Sequence, residues 1–347
     1  MALGLVLSAA TSGIAASADP PKIGRPRPAP PTPPNIPPLP PAVFDPTLAV
    51  GGKDVKARKV ETRLSVDVMV DGRGPFRFIV DSGADTSVVG VRIAHDLQLP
   101  LATPVILNGM TDRNIVDRVK VDQLTVGSNT VGDLELPALR EEDVGGDGIV
   151  GIDALVEQRL MMDFEKHLIK VEDARTPEKF DPNDIIIIAR RQHGQLILTH
   201  VKAAGYDLDA VIDTGSEITI GNTALRDKLM RNNRDKFVTV PVTGVTGKTV
   251  MVELARIDEI QLGPIILRDM PIAFADVPPF KLFGLSDQPA LLLGTDILGN
   301  FRRVSLDFRT RKIRFQLRRC SNEGVIINTE PEDFMQMSSK AFDACGK

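Results

Sequence analysis

The chain has 347 residues, 42% of them hydrophobic and 25% charged, enough apolar material for about two packed domains and too much for wholesale disorder. A net charge of −4 gives no global pull toward nucleic acid or anionic lipid, and 14 Phe, one Tyr and no Trp leave few platforms on which bases stack. Two cysteines and four scattered histidines argue against an all-cysteine zinc site or a disulfide scaffold, so chemistry falls to Asp, Glu, Ser, Thr or Lys.

The first 18 residues read as an export signal. Leu3 to Ala10 is a short apolar run, Ala16-Ser17-Ala18 is a small-x-small cleavage site, and no Lys or Arg precedes the run. The run falls well short of the ~20 apolar residues that span a bilayer, so no stable membrane insertion is expected after cleavage. Export, to the periplasm or outside the cell, is the expected localisation. Residues 19–46 follow with 13 of the chain's 26 prolines. Proline fixes φ and lacks the amide donor, so this stretch predicts an extended polyproline-type spacer: a solvated linker, a stalk, or a removable pro-segment.

The middle of the chain repeats itself. Phe78-Ile79-Val80-Asp81-Ser82-Gly83-Ala84 returns without a gap as Ala210-Val211-Ile212-Asp213-Thr214-Gly215-Ser216. Gly148-Ile149-Val150-Gly151-Ile152-Asp153-Ala154-Leu155 returns as Leu291-Leu292-Leu293-Gly294-Thr295-Asp296-Ile297-Leu298, and Met162-Asp163-Phe164 as Leu306-Asp307-Phe308. Three blocks in the same order indicate two copies of one domain, at 47–180 and 181–319, before a tail at 320–347. Each copy reads as strand. Leu64, Val66, Val68 and Val70 alternate with polar neighbours up to an Asp71-Gly72 turn, and Leu196, Leu198 and His200 take the same positions in the second copy. Ile185–Ile188 is too short a run for a helix, and helical pattern is confined to 91–97, 154–159 and 223–231. The expected fold is all-β, with two pseudo-symmetric lobes and a few short helices.

In each copy an apolar strand ends at a carboxylate, then a hydroxyl, then a glycine that permits a tight turn. Seen once, that is an ordinary turn. At matched positions of a duplicated domain, a pseudo-twofold axis can set Asp81 and Asp213 face to face. Two carboxyls in hydrogen-bond reach share one proton, so one can activate a water while the other protonates a carbonyl. Ser82 and Thr214 are placed to bond across the two loops.

These residues carry a resemblance. Asp81-Ser82-Gly83-Ala84-Asp85-Thr86, Asp213-Thr214-Gly215-Ser216 and the apolar blocks ending at Gly151 and Gly294 resemble the pepsin/retropepsin-type aspartic proteases, and among them the bacterial retropepsin-like proteins with two fused copies. The resemblance implies acid-protease-like β-barrel lobes, Asp81 and Asp213 as catalysts, and Ser82, Gly83, Thr214, Gly215 and Ser216 as the loop support. It implies that each later glycine block passes beneath a catalytic loop, and that Asp85, with Glu217 as its counterpart, contacts substrate backbone. It further implies that the Ser216 hydroxyl bonds the ionised aspartate, making Asp213 the more readily ionised of the pair. Asp153 and Asp296 read as helix N-caps.

Such an enzyme needs hairpin flaps to exclude water. Asn108-Gly109-Met110-Thr111-Asp112 and Thr243-Gly244-Val245-Thr246-Gly247 are the candidates, with Gly109, Met110, Gly244 and Val245 at the tips over the substrate. Neither contains the single tyrosine, Tyr206. His95, His167, His193 and His200 lack metal-ligand spacing, so no metal is expected, and no organic cofactor. The basic run from Arg302 to Arg319 reads as the solvated face of a terminal hairpin. Cys320 and Cys345 fit either a disulfide across the tail or two free thiols. The expected function is a monomeric, single-chain aspartic endopeptidase acting on a peptide or protein substrate, without nucleic acid. The alternative is a catalytically silent peptide-binding or scaffold protein that retains the fold.

Overall fold

The computed structural model describes residues 20–30, 53–56, 58–60, 63–127, 129–155, 158–166, 168–177, 181, 184–192, 194–231, 237–318 and 325–327. The export signal, most of the proline-rich segment, Cys320, Cys345, His167 and His193 lie outside the described residues.

In the first lobe the alternating strand Arg63–Val70 buries Leu64, Val66, Val68 and Val70 and exposes Asp67. It turns back at Asp71 and Gly72, both at positive φ (49° and 72°), the geometry that suits a right-twisted two-residue hairpin. The returning strand Arg73–Val80 pairs in parallel with Gly148–Val150, which pairs antiparallel with Val88–Gly90. That strand lies parallel to Asn129–Leu139, which pairs antiparallel with Arg113–Val126, and the end of Arg113–Val126 pairs back onto Arg63–Val70. Six strands thus close a ring and leave no open edge within it.

The second lobe repeats this circuit step for step. Gln195–Ala203 pairs antiparallel with Tyr206–Ile212, which pairs in parallel with Ala290–Leu293; that strand pairs antiparallel with Ile220–Gly221, which pairs in parallel with Ile265–Phe274, which in turn pairs antiparallel with Thr249–Leu262. Thr249–Leu262 returns to Gln195–Ala203. The expected duplication is therefore present in topology. One register differs: a bulge between Leu198 and Val201 leaves His200 exposed and puts Val201, not His200, in the buried position of Val68.

A six-stranded antiparallel sheet joins the lobes, in the order 185–188, 312–317, 301–307, 158–163, 168–173 and 53–56. Its two central strands pair as Arg159↔Asp307, Leu160↔Leu306, Met161↔Ser305, Met162↔Val304 and Asp163↔Arg303. This register is itself twofold. The repeat that carries Met162-Asp163 onto Leu306-Asp307 also carries Met161 onto its own partner Ser305, so the pseudo-axis passes between them. The flanking ion pairs obey the same symmetry: Arg303 to Asp163 at 3.1 Å and Arg159 to Asp307 at 3.9 Å. One apolar core runs through this sheet, with Leu160 and Met162 from one lobe packed with Val304 and Leu306 from the other.

Two expectations change here. Residues 154–159 are not one helix: a short helix Ile152–Leu155 is followed by the strand Gln158–Asp163, whose polar Gln158 and Arg159 are buried by sheet pairing. The basic run of the terminal hairpin is a solvated face only at its turn, where Arg309 and Arg311 are exposed. Val304, Leu306, Ile313 and Phe315 are core, and Arg302, Arg303 and Arg314 meet Glu165, Asp163 and Asp184. The helices Val91–Asp96 and Thr223–Met230 stand where expected, the latter capped by Asn222, which accepts from the Leu225 amide.

Residues 20–30 differ from a free spacer. They pack along the first lobe, with Arg27–Pro28 added as a short antiparallel strand against Asn114 and Ile115.

Candidate active site

Both candidate aspartates sit at the mouth of a parallel strand pair. Val80 lies beside Val150, and the Asp81 amide donates to Val150 O at 3.0 Å; Ile212 lies beside Leu293, and the Asp213 amide donates to Leu293 O at 3.0 Å. An apolar strand buried on both faces fixes the last backbone position, and the chain then turns. Each carboxylate accepts two amides of its own turn: Asp81 Oδ1 from Gly83 and Ala84, at 2.8 and 3.0 Å, and Asp213 Oδ1 from Gly215 and Ser216, both at 3.1 Å.

The turns are locked to one another across the axis. The Ser82 amide donates to Thr214 Oγ1 at 2.9 Å and the Thr214 amide to Ser82 Oγ at 3.1 Å. Each hydroxyl then donates to the carbonyl that ends the opposite strand, Ser82 to Ile212 O and Thr214 to Val80 O, both at 2.9 Å. Both residues are buried, so these four bonds form without competition from water. Serine at 82 does the work of threonine at 214, as its hydroxyl predicts.

The interlock brings the carboxyl groups of Asp81 and Asp213 within hydrogen-bond reach of each other. Each glycine faces the opposite aspartate. A Cβ on Gly83 would lie 2.8 Å from Asp213 Cγ, and one on Gly215 would collide with the Asp81 carboxyl. The residue type at these two positions is set by the approach of the second carboxylate. Burial first, and then the charge of Asp81, push Asp213 well above the ordinary carboxylate range; the Gly215 and Ser216 amides only partly oppose this.

Beneath each turn the glycine blocks pass as expected. A Cβ on Gly151 would sit 2.5 Å from the Thr86 carbonyl carbon, and one on Gly294 would sit 2.6 Å from that of Ile218. The next carboxylates act differently from the expected helix caps. Asp153 accepts from the Ser87 amide at 2.8 Å and hydroxyl at 2.6 Å and from the Thr86 hydroxyl at 3.0 Å; Asp296 accepts from the Thr219 amide and hydroxyl at 2.9 and 2.7 Å. Ser87 and Thr219 in turn accept the Gly151 and Gly294 amides, both at 3.0 Å. These four side chains tie each aspartate loop to its glycine block. Their recurrence at matched positions was the sequence signal for them. Burial raises both carboxyls, against the pull of these bonds.

The remaining candidates divide. The Ser216 hydroxyl donates to Ile218 O at 2.7 Å rather than to a carboxylate, which removes the reason for reading Asp213 as the more readily ionised member. Asp85 is exposed beside the first turn and accepts a hydrogen bond from the amide of Gln195, a buried residue of the other lobe that the repeat pattern did not single out. Gly109, Met110, Gly244 and Val245 lie at the tips of two hairpins, formed by 101–108 with 113–126 and by 238–243 with 249–262. The tips meet: the Thr246 hydroxyl donates to Asp112 Oδ1 at 2.7 Å, and Gly244 lies so close to Thr111 that a side chain would collide. They also exchange places. Met110, from the first hairpin, packs in the second lobe's apolar cluster with Ile218 and Ile220, while Val245, from the second, packs in the first lobe's cluster with Ala84 and Val88. Among the described residues no group of three or more His, Cys, Asp and Glu is arranged to hold a metal ion, and no helix is long and apolar enough to cross a membrane.

A family model described as aspartyl protease matches the chain twice, at residues 66–154 and 199–297. Each match spans one aspartate turn, one hairpin and one glycine block. No curated protein matches the chain.

Proposed function

Because the chain belongs to the aspartyl protease family, we propose that it is an endopeptidase that hydrolyses peptide bonds with water activated between Asp81 and Asp213. The observation that carries this reading is the approach of two carboxyls from separate lobes, each against the turn glycine of the other, with Asp213 held above the usual range by burial and by its neighbour.

In the proposed cycle one carboxylate takes a proton from water while the other carboxyl gives its proton to the peptide carbonyl oxygen. The water oxygen bonds to the carbonyl carbon, forming a neutral gem-diol and no covalent enzyme adduct. The proton taken from water then passes to the peptide nitrogen. The C–N bond breaks, leaving a carboxylic acid and an amine, and the shared proton returns to the pair. The cross-lobe bonds of Ser82 and Thr214 hold the carboxyls in place through both steps, so little reorganisation is required. The substrate lies extended beneath the two hairpins, its backbone pairing with their edges and with Asp85. This chemistry calls for no metal or organic cofactor, and both half-sites reside in one chain, so a monomer suffices. Export after removal of residues 1–18 is part of the same proposal.

The test is cleavage of a denatured protein between about pH 3 and 7, the span of carboxyl titration, by the parent and by Asp213→Asn. Turnover by the parent and a loss of at least about a thousandfold in the variant is the expected result. Equal peptide binding with no turnover by either protein would favour a silent peptide-binding role instead.

A further inference from the structure

Among the described residues, the first hairpin carries a strand that the second does not. Its strand Arg113–Val126 pairs with 101–108 along one edge, while its opposite edge near the tip is taken by the chain's own N-terminal segment. Arg27 and Pro28 pair with Ile115 and Asn114, and the Ala29 amide donates to Arg113 O at 3.1 Å. Side chains extend the contact both ways. Asp117 accepts the Gly24 amide at 2.7 Å and faces Arg27 at 3.9 Å, the Arg113 guanidinium donates to Pro30 O, and Ile23 packs against the main core. The segment therefore runs from a core anchor along the hairpin to its tip, as a splint.

Its composition suits the position. Pro26, Pro28 and Pro30 hold the chain extended without needing donors of their own, and Ala29, between two of them, provides the amide that Arg113 O accepts. An edge that binds an extended strand by its main chain is a peptide-docking surface. We infer that the outer edge of the first flap is such a surface, that residues 20–30 are its resident ligand, and that its occupancy sets how readily the two flaps part. The coupling between flaps is already present at the tips, where Thr246 bonds Asp112 and Met110 and Val245 are exchanged between lobes. A splint on one flap restrains both.

Hydrogen exchange of the full chain tests this and reads out whether or not the protein cleaves peptides. Two variants undock the segment while leaving the edge intact: Ile23→Glu with Arg27→Glu, and separately Ala29→Pro, which removes the single donor to Arg113 O. The expected result is about tenfold faster exchange at residues 108–114 and also at 243–247 on the other hairpin. A synthetic peptide of residues 20–30, added in excess to either variant, is expected to restore the slow exchange at both tips. Acceleration confined to residues 113–117 would reduce the segment to a local contact. Unchanged exchange at both tips, or peptide that restores nothing, would overturn the inference.

Discussion

Asp213 shows how much one side chain owes to its surroundings. Its ordinary carboxyl would be charged in neutral water, but burial and the facing Asp81 favour the protonated form. A carboxyl whose folded pKa lies above its unfolded value weakens the fold as pH rises through that interval, because the unfolded chain ionises first. Asp213→Asn is therefore expected to raise the melting temperature at pH 7, with the advantage shrinking as pH falls toward about 3.9, the value of a free Asp, and absent below it. Thermal melts across that range check the sign. Thr214→Val, which keeps the shape and removes the hydroxyl, strands the Ser82 amide and the Val80 carbonyl in a buried site. A loss of about 2–4 kcal/mol is expected from denaturant unfolding, with kcat falling more than KM changes. At this scale much was legible. Aspartate, hydroxyl and glycine appeared twice in register, and their chemistry permits few other arrangements. The target of the Ser216 hydroxyl was not legible, since a serine beside a turn has several carbonyls in range and sequence does not rank them.

Among the elements, the aspartate turns and the hairpins divide the labour of holding and covering. Asp153 and Asp296 serve the first task by gathering Ser87 and Thr219, together with their amides, under each turn. Asp296→Ala leaves the Thr219 amide and hydroxyl without their acceptor, and a destabilisation of about 2 kcal/mol is expected by denaturant titration. In the proposed function the hairpins serve the second task, through tips that are exchanged between the lobes. Met110→Ser withdraws an apolar side chain from the other lobe's cluster. It is expected to raise KM by roughly tenfold with a smaller change in kcat, because closure over bound substrate weakens while the aspartate turns are untouched. Steady-state kinetics on one peptide separates the two parameters. The hairpins could be read from glycine-bearing turns between apolar runs. The tasks of Asp153 and Asp296 could not, because a carboxylate entering a short helix resembles a cap until its distant partners are seen.

For the whole molecule, the twofold relation is carried by the sheet that joins the lobes, in which Met161 and Ser305 straddle the axis and the two Arg–Asp pairs mirror each other. Strand alternation says which face of a strand is buried but not which distant strand it will pair with, so this sheet was invisible in the sequence, as was the docking of residues 20–30. Arg303→Ala would leave the fully buried Asp163 without its cation, and a cost of about 3–5 kcal/mol is expected. Because one core runs through both lobes, that loss should appear in a single unfolding transition rather than in one lobe alone. The same symmetry brings the two aspartates together, and the proposed chemistry stands on the proton they share. Carbon-13 NMR of aspartate-labelled protein, titrated with and without Asp81→Asn, reads that sharing directly. The expected result is an Asp213 carboxyl that titrates well above the ordinary range in the parent and moves down when Asp81 loses its charge. An Asp213 that titrates like a free aspartate, or that does not respond to Asp81→Asn, would contradict it.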